Sequence, residues 1–261
     1  MSGHPAKPSP ASMKRKKPSL KLPPKTEEQK FLSSEALPRK GLDNAWFWPD
    51  TGLLLFVGTD PSIPPRLRAR YGGRLRITPK VENEIRGHSL ATGASDKELA
   101  IRDAATAAVR ELLLGSHPLA KFSVEAEDLA LIDKVLNQLK SLSSDAGKRH
   151  SGEAEIIAIA VRVRDKSGKP QVILGNDGDA SLVAKRHGVY ARHAADVLAE
   201  FACRDKSLEP SQCYALFTNS CAVTSPPKAC WPPNEDAFIC EGDATKCDSC
   251  DPQQSTVPIR A

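Results

Sequence analysis

The architecture can be read most directly from residues 152–188, which run GEAEIIAIAVRVRDKSGKPQVILGNDGDASLVAKRHG. Within this segment, Gly152 to Val163 has the pattern of a helix, and Gln171 to Leu174 is a short buried strand. Ala180 to His187 predicts a second helix, which ends at Gly188. Helix, strand and helix therefore alternate. This alternation predicts an α/β fold in which a parallel sheet is sandwiched by helices on both faces.

The chain before this segment continues the same alternation. Residues 44–48 predict a short strand, and residues 74–77 predict a second one. Thr78 has N-cap chemistry and is followed by Pro at the first helical position. Ser95 begins a capping box ahead of another helix, and a further helix follows Ser123. These elements fit the same α/β class.

Composition divides the chain into three regions. Residues 1–42 are expected to form a disordered basic arm, since the first 40 residues hold ten Lys and Arg against three Glu and no apolar periodicity. Residues 43–202 form the predicted globular domain, and residues 203–261 form an irregular Cys-rich tail. The arm could contact nucleic acid, act as an address signal or keep the protein soluble.

Two features that the sequence lacks indicate where the protein is located in the cell. Apolar runs such as Leu53 to Val57 are far shorter than the roughly 20 residues that a membrane helix needs. The basic N-terminus is not followed by an apolar stretch, so a secretory signal is not expected. We therefore expect a cytoplasmic protein with no membrane partner.

Six of the seven cysteines fall after residue 212. Cys247 and Cys250 have the two-residue gap typical of a zinc knuckle, and no second such pair accompanies them. Zinc binding by four of the six, disulfide bonds and unpaired thiols all remain open interpretations of this tail.

Acidic side chains are placed where the predicted strands end. Asp50 follows the first strand, and Asp177 and Asp179 follow a later one. If these strands are neighbours in a parallel sheet, their acids meet at one edge, where like charges repel unless a cation lies between them. Glu84 and Glu155 extend the predicted cluster from two helices. Taken singly, each acid could equally be an ordinary cap, turn or surface residue.

Glu155 is preferred to Glu153 at the second of these helices. The two glutamates lie about 200° apart around the helix, so only one of them can face the cluster. Glu155 is followed at three and four residues by Ala158 and Ile159, a pattern typical of a buried stripe. Glu153 is interpreted as an acid that offsets the helix dipole.

The order of these motifs resembles the PIN-domain family of metal-dependent ribonucleases, which includes the VapC-type toxins, over about residues 45–202. The resemblance implies that Asp50, Glu84, Glu155 and Asp177 are the four site acids and that Asp179 assists them. It also implies an RNA substrate and suggests two protein partners, a small antitoxin-like inhibitor and a second copy in a homodimer. Two departures are Gly52, where the family often has Asn, and Gly175, where it has Ser or Thr.

Clustered carboxylates without His or Cys suit a hard cation such as Mg²⁺ or Mn²⁺. Such ions activate water and stabilise the leaving oxygen of a phosphodiester. The sequence therefore predicts a metal-dependent endoribonuclease. The alternative is a nucleic-acid-binding or scaffold protein with an inactive PIN-like core. None of the six histidines is assigned a catalytic role.

Five arginines fall within eleven residues that lead into the second strand, and they are candidates for contacts to RNA phosphates. An equally weighted interpretation is a solvated basic loop. The five residues are Arg66, Arg68, Arg70, Arg74 and Arg76.

Overall fold

The computed structural model describes residues 44–93, 95–143, 150–203, 208–226 and 231–239. Its strands are β1 (Trp46–Pro49), β2 (Arg76–Ile77), β3 (Ala120–Lys121), β4 (Gln171–Leu174) and β5 (Tyr190–Arg192). β1, β4 and β5 form a sheet in the order β1-β4-β5, and β2 pairs with β3. All of these pairs are parallel, as is the isolated bridge from Phe47 to Leu75 that links β1 to the segment before β2.

Nine α-helices lie in the described part of the chain. They are α1 (Thr51–Gly58), α2 (Ile63–Tyr71), α3 (Pro79–Ser89), α4 (Asp96–Ala108), α5 (Leu129–Leu142), α6 (Ser151–Ser167), α7 (Gly178–Arg186), α8 (Ala194–Cys203) and α9 (Pro210–Thr224). Short 3₁₀ turns cover Gly72–Arg74, Ala126–Asp128 and Glu235–Phe238, and a π-helical turn, Val109–Leu113, extends α4. Mixed helices and a small parallel sheet confirm the α/β class.

α1 is a deeply buried helix near the sheet. Leu53 to Val57 are all buried, so the apolar run that is too short for a membrane forms an interior helix. A helix that is apolar on all sides is expected to be enclosed by other elements. At its end, Gly58 lies against α4, because a Cβ on Gly58 would come 1.9 Å from the carbonyl oxygen of Ala104.

Several sequence predictions are confirmed with their bounds. β4 covers the predicted residues 171–174, and α7 ends before Gly188, whose φ of +70° suits glycine. Ser95 and Glu98 form the predicted capping box of α4. The second strand is shorter than predicted, because Gly72–Arg74 forms a 3₁₀ turn and only Arg76–Ile77 pairs as a strand.

The tail after residue 202 is not irregular throughout. α9 begins with Pro210 in its first turn and a capping box between Glu209 and Gln212. It buries Cys213, Phe217 and Ser220, and it packs against α1, α4 and α8. The prediction of an irregular tail is therefore wrong for this helix, whose buried positions recur every three or four residues.

The last described segment folds back onto α9. The ring of Trp231 packs edge-on against Phe217, with 6.2 Å between the ring centroids, and its indole Nε1 donates to the carbonyl of Pro226 at 3.1 Å. Phe238 is buried where its 3₁₀ turn contacts α8 and α9. No helix in the described residues is long and apolar enough to cross a membrane. The predicted N-terminal arm lies outside the described residues.

Candidate metal centre

Asp50 follows β1 at the carboxyl edge of the parallel sheet. Its backbone amide donates to the carbonyl oxygen of Leu174, the last residue of β4, at 2.8 Å. Its side chain caps α1, because Oδ1 accepts from the amide of Leu53 at 2.6 Å. The carboxyl group is therefore held in one orientation, and only 6% of the residue is exposed.

Asp177 lies at the same edge, three residues after β4. It is the N-cap of α7, and its Oδ1 accepts from the amides of Asp179 at 2.8 Å and Ala180 at 3.1 Å. Asp179 lies in the first turn of α7, half-buried. The parallel pairing of β1 with β4 thus brings Asp50 and Asp177 to one edge, as expected from strand order.

Glu84 reaches this edge from α3. Its Oε2 accepts from the hydroxyl of Thr51 at 2.7 Å, which places it at the start of α1. A Cβ on Gly152 would come 2.8 Å from the same oxygen, so Glu84 also lies against the start of α6. Glu84 therefore joins the first turns of two helices to the site.

α6 contributes Glu153 to the site, whereas the sequence predicts Glu155 at this position. Glu153 lies close enough to Asp50 and Asp177 for their charges to act on one another. The Oε1 of Glu155 instead accepts from the backbone amide of Lys80 at 2.8 Å. Glu155 thus caps the beginning of α3, and Glu153 takes the place at the site that the sequence predicts for Glu155.

His150 completes the group, although no histidine is expected there from the sequence. It is the N-cap residue of α6, it is 5% exposed, and its φ is +26°. One ligand atom from each of His150, Glu153 and Asp177 lies within 4.8 Å of the other two. Within the described residues, its Nε2 has no hydrogen-bond partner.

The electrostatics of the site favour a bound cation. Burial raises the pKa of Asp50 to about 8, against the lowering effect of the Leu53 amide, and the charges of Glu153, Asp177 and Glu84 raise it further. Burial, with help from Asp177 and Glu84, also raises the pKa of Glu153. Carboxyl groups that resist ionisation because they crowd together are stabilised as carboxylates when a cation lies between them. The residues present fit a divalent cation.

His193 lies at the same edge, directly after β5, and it adds no positive charge. Burial is the main reason that its pKa is lowered, so the imidazole is neutral near pH 7. Its backbone amide donates to Oδ2 of Asp196 at 2.8 Å, which begins α8. The crowded carboxyl groups are therefore not offset by a cationic histidine from β5.

The five arginines between residues 66 and 76 are half-buried and contact the protein itself, and three of them lie in α2. Arg66 donates to the carbonyl of Ser62, and Arg68 donates to the carbonyls of Glu111 and His117. Arg70 pairs with Glu200 at 2.7 Å. These contacts give the arginines a structural role in place of the solvated loop.

The remaining two arginines lie over aromatic rings. The guanidinium carbon of Arg74 is 5.2 Å from the ring centroid of Phe47, and that of Arg76 is 4.2 Å from the ring centroid of Trp46. Cation–π contacts of this kind stabilise both partners. Contact of any of the five with RNA phosphates stays a prediction.

Cys247 and Cys250, the predicted zinc pair, lie outside the described residues. Cys213 and Cys221 are both in α9 as free cysteines. Burial raises the pKa of their thiols to about 12 and about 11, so neither is a ready thiolate ligand. They are eight residues apart, about 12 Å along the helix, which is too far for one zinc ion.

No family model, curated protein or solved structure matches this chain. The site is defined by the residues that the fold brings to the carboxyl edge of β1, β4 and β5.

Proposed function

We propose that this protein is a metal-dependent endoribonuclease with a PIN-like architecture. The observation that carries the proposal is the convergence of Asp50, Glu84, Glu153 and Asp177, from four separate elements, at one edge of a parallel sheet. Ligand sites of open α/β sheets lie at this edge. Acids gathered there in a buried, crowded group support a cation site, because a cation between carboxylates offsets their mutual repulsion.

Phosphodiester hydrolysis is the chemistry that suits such a site. An acidic pocket repels a phosphate backbone unless a cation is present, so cation and substrate are expected to bind together. A bound divalent cation supplies positive charge for the phosphate and lowers the pKa of a water molecule. Glu153 and Asp177 would hold this ion, with Glu84 and Asp50 beside them.

The protein's own residues have separable roles in this proposal. Asp177 is oriented by the amides at the start of α7, and Glu84 is oriented by the hydroxyl of Thr51. Burial raises the pKa of Asp50 to about 8, and its Oδ1 is fixed by the Leu53 amide. Beside a bound cation, which would stabilise its ionised form, this carboxylate would accept a proton from the attacking water.

RNA is proposed as the substrate on the resemblance to the PIN-domain nucleases, whose acids occur in the same chain order. The order here is a strand with Asp50, a helix with Glu84, a helix start with Glu153 and a strand with Asp177. Single-stranded RNA offers a backbone that is accessible to a bound cation. A homodimer and an antitoxin-like inhibitor belong to the same proposal.

Cleavage of single-stranded RNA by the purified full-length protein tests the proposal. We expect cleavage that requires Mn²⁺ or Mg²⁺, stops with chelator and falls at least about 100-fold in Asp50→Ala and Asp177→Ala. Asp133→Ala, an exposed acid in α5, is the matched control and should cleave normally. Unchanged cleavage in both site variants would refute the nuclease assignment. RNA binding without metal-dependent cleavage would support the inactive-core alternative.

A further inference from the structure

His150 belongs to the candidate centre, but the proposed function assigns roles only to the carboxyl groups and none to this histidine. It immediately precedes α6, and its imidazole lies within 4.8 Å of ligand oxygens of Glu153 and Asp177. Two ligands that are each about 2.1 Å from one ion are at most about 4.2 Å apart, so a small side-chain movement would let all three bind the same ion.

The backbone at His150 is held in an uncommon conformation. Its φ of +26° is positive, a range in which glycine is favoured and histidine is one of the few tolerated alternatives. A residue held in this way requires support from its surroundings, and such positions cluster at functional sites. The conformation turns the chain sharply into α6, and it places the imidazole beside the carboxyl group of Glu153, three residues later.

The imidazole is also buried without satisfying one of its nitrogens. His150 is 95% buried, and its Nε2 has no hydrogen-bond partner within the described residues. A buried polar atom of this kind carries a desolvation cost unless something binds to it. Two carboxyl groups and an imidazole, with ligand atoms within 4.8 Å of one another, provide the donor set of a metal site.

We infer that His150 is a ligand of the cation, and that the centre therefore selects a first-row transition ion such as Mn²⁺ over Mg²⁺. This inference rests on the proposed cation-dependent function and goes beyond its carboxylate chemistry. Mg²⁺ takes oxygen ligands and keeps its waters, whereas transition ions accept imidazole nitrogen readily. A histidine beside two carboxylates gives a mixed nitrogen and oxygen site, unlike the all-oxygen site expected from the sequence.

His150→Asn is the informative variant, because asparagine also tolerates a left-handed backbone but has no imidazole. His187→Asn is the matched control. His187 likewise adjoins a helix end, after α7, and its ring nitrogen contacts Oε1 of Gln138 at 2.8 Å, away from the proposed ligands. Comparing the two variants separates the loss of a ligand from the general effect of replacing a histidine.

The test is Mn²⁺ binding to the full-length protein, followed by electron paramagnetic resonance, with Mg²⁺ as the competitor. The wild type should bind Mn²⁺ at least about tenfold more tightly than Mg²⁺, and pulsed spectra of bound Mn²⁺ should show coupling to a ¹⁴N nucleus. In His150→Asn, the ¹⁴N coupling should disappear and Mn²⁺ affinity should fall about 10- to 100-fold, with a smaller change for Mg²⁺. His187→Asn should behave as the wild type does.

The outcomes distinguish this inference from the proposed function. Bound Mn²⁺ without ¹⁴N coupling, or with undiminished affinity in His150→Asn, would overturn the histidine ligand and leave the carboxylate site intact. A wild-type protein that binds neither ion would overturn both proposals.

Discussion

Asp50 and Gly175 pack so closely at the ends of β1 and β4 that a Cβ on Gly175 would come 2.2 Å from Oδ2 of Asp50 and 2.7 Å from its Cγ. The backbone of Gly175 is thus one wall of the site. The hydroxyl residue that the PIN-domain family has here would not fit without moving Asp50. This glycine therefore sets the position of the carboxyl group.

Gly175→Ala should displace the Asp50 carboxyl group and weaken divalent-cation binding by about tenfold or more, the size of effect seen when a supporting residue of a metal site is changed. The measurement is a Mn²⁺ titration of the folded protein. Gly178→Ala is the control, because a Cβ there meets no atom within 4 Å. Equal affinities in the two variants would show that Asp50 does not need this close contact.

Asp50→Asn should flatten the pH dependence of stability in the presence of a chelator. Unfolded, this carboxyl group ionises near 3.8, but folded it keeps its proton to about pH 8. Between these values folding takes up a proton, so the free energy of unfolding of the wild type should fall as pH rises from about 4 to about 8. Each unit of difference between the folded and unfolded pKa of Asp50 changes the free energy of unfolding by about 1.4 kcal/mol, so this free energy should decrease by a few kcal/mol.

Asparagine cannot ionise, yet it can still accept from the Leu53 amide. The variant should therefore be more stable than the wild type at pH 8, as measured by urea denaturation across this pH range. Asp133→Asn on the exposed face of α5 should retain the wild-type slope. A wild-type free energy that does not fall between pH 4 and 8 would contradict the burial argument.

Glu153→Gln and Glu155→Gln form a matched pair two residues apart in α6. Glu153→Gln removes a charge from the site, and RNA cleavage should fall about 100-fold or more. Glu155→Gln retains an oxygen that can accept from the Lys80 amide, so cleavage should change by less than about threefold and stability by less than about 1 kcal/mol. The reverse ranking in a cleavage assay would restore Glu155 as the site acid.

Glu200→Gln should destabilise the fold by about 3–5 kcal/mol, because it leaves a buried guanidinium without its counter-charge. Glu200 pairs with the fully buried Arg192 and accepts from Nε of Arg70 at 2.7 Å and from the hydroxyl of Tyr71 at 2.9 Å. Asp103→Asn, which breaks the exposed pair with Arg102, should change the free energy of unfolding by less than about 1 kcal/mol. Urea denaturation of both variants would show whether these losses differ.

Part of the site could be predicted because strand ends are easy to locate. β4 is a short apolar segment between Pro170 and Gly175, and Asp177 follows it after two residues. Asp50 follows a strand that Pro49 ends. Neighbouring parallel strands bring the residues that follow them to one edge of the sheet. The proximity of Asp50 and Asp177 could therefore be predicted from the fold class alone.

The choice between Glu153 and Glu155 could not be made from the apolar pattern of α6. Residues three and four after Glu155 are buried, but so are Ile156 and Ile157, which stand in the same relation to Glu153. A helix enclosed on nearly all sides has no single apolar face to indicate which glutamate points to the site. The rotation of α6 is a tertiary property.

His150 and the arginines of α2 were beyond sequence reasoning for related causes. Nothing in a lone histidine after a polar segment predicts a left-handed turn or a buried ring beside two distant carboxyl groups. The helix α2 begins with two prolines, which suit a first turn as well as they suit a loop. Its arginines contact Glu200 and carbonyls far along the chain, so their structural role depends on long-range packing.

The position of α9 has a consequence for any shortened version of this protein. Because α9 covers α1 and α4, and because α1 directly follows Asp50, a chain cut near residue 203 would uncover interior leucines beneath the acidic edge. Such a fragment would end at the border between the globular domain and the tail that composition predicts, and it would still be prone to aggregate during expression. The smallest autonomous unit containing the centre extends at least through α9, and the packing of Phe238 argues for including the residues to 239.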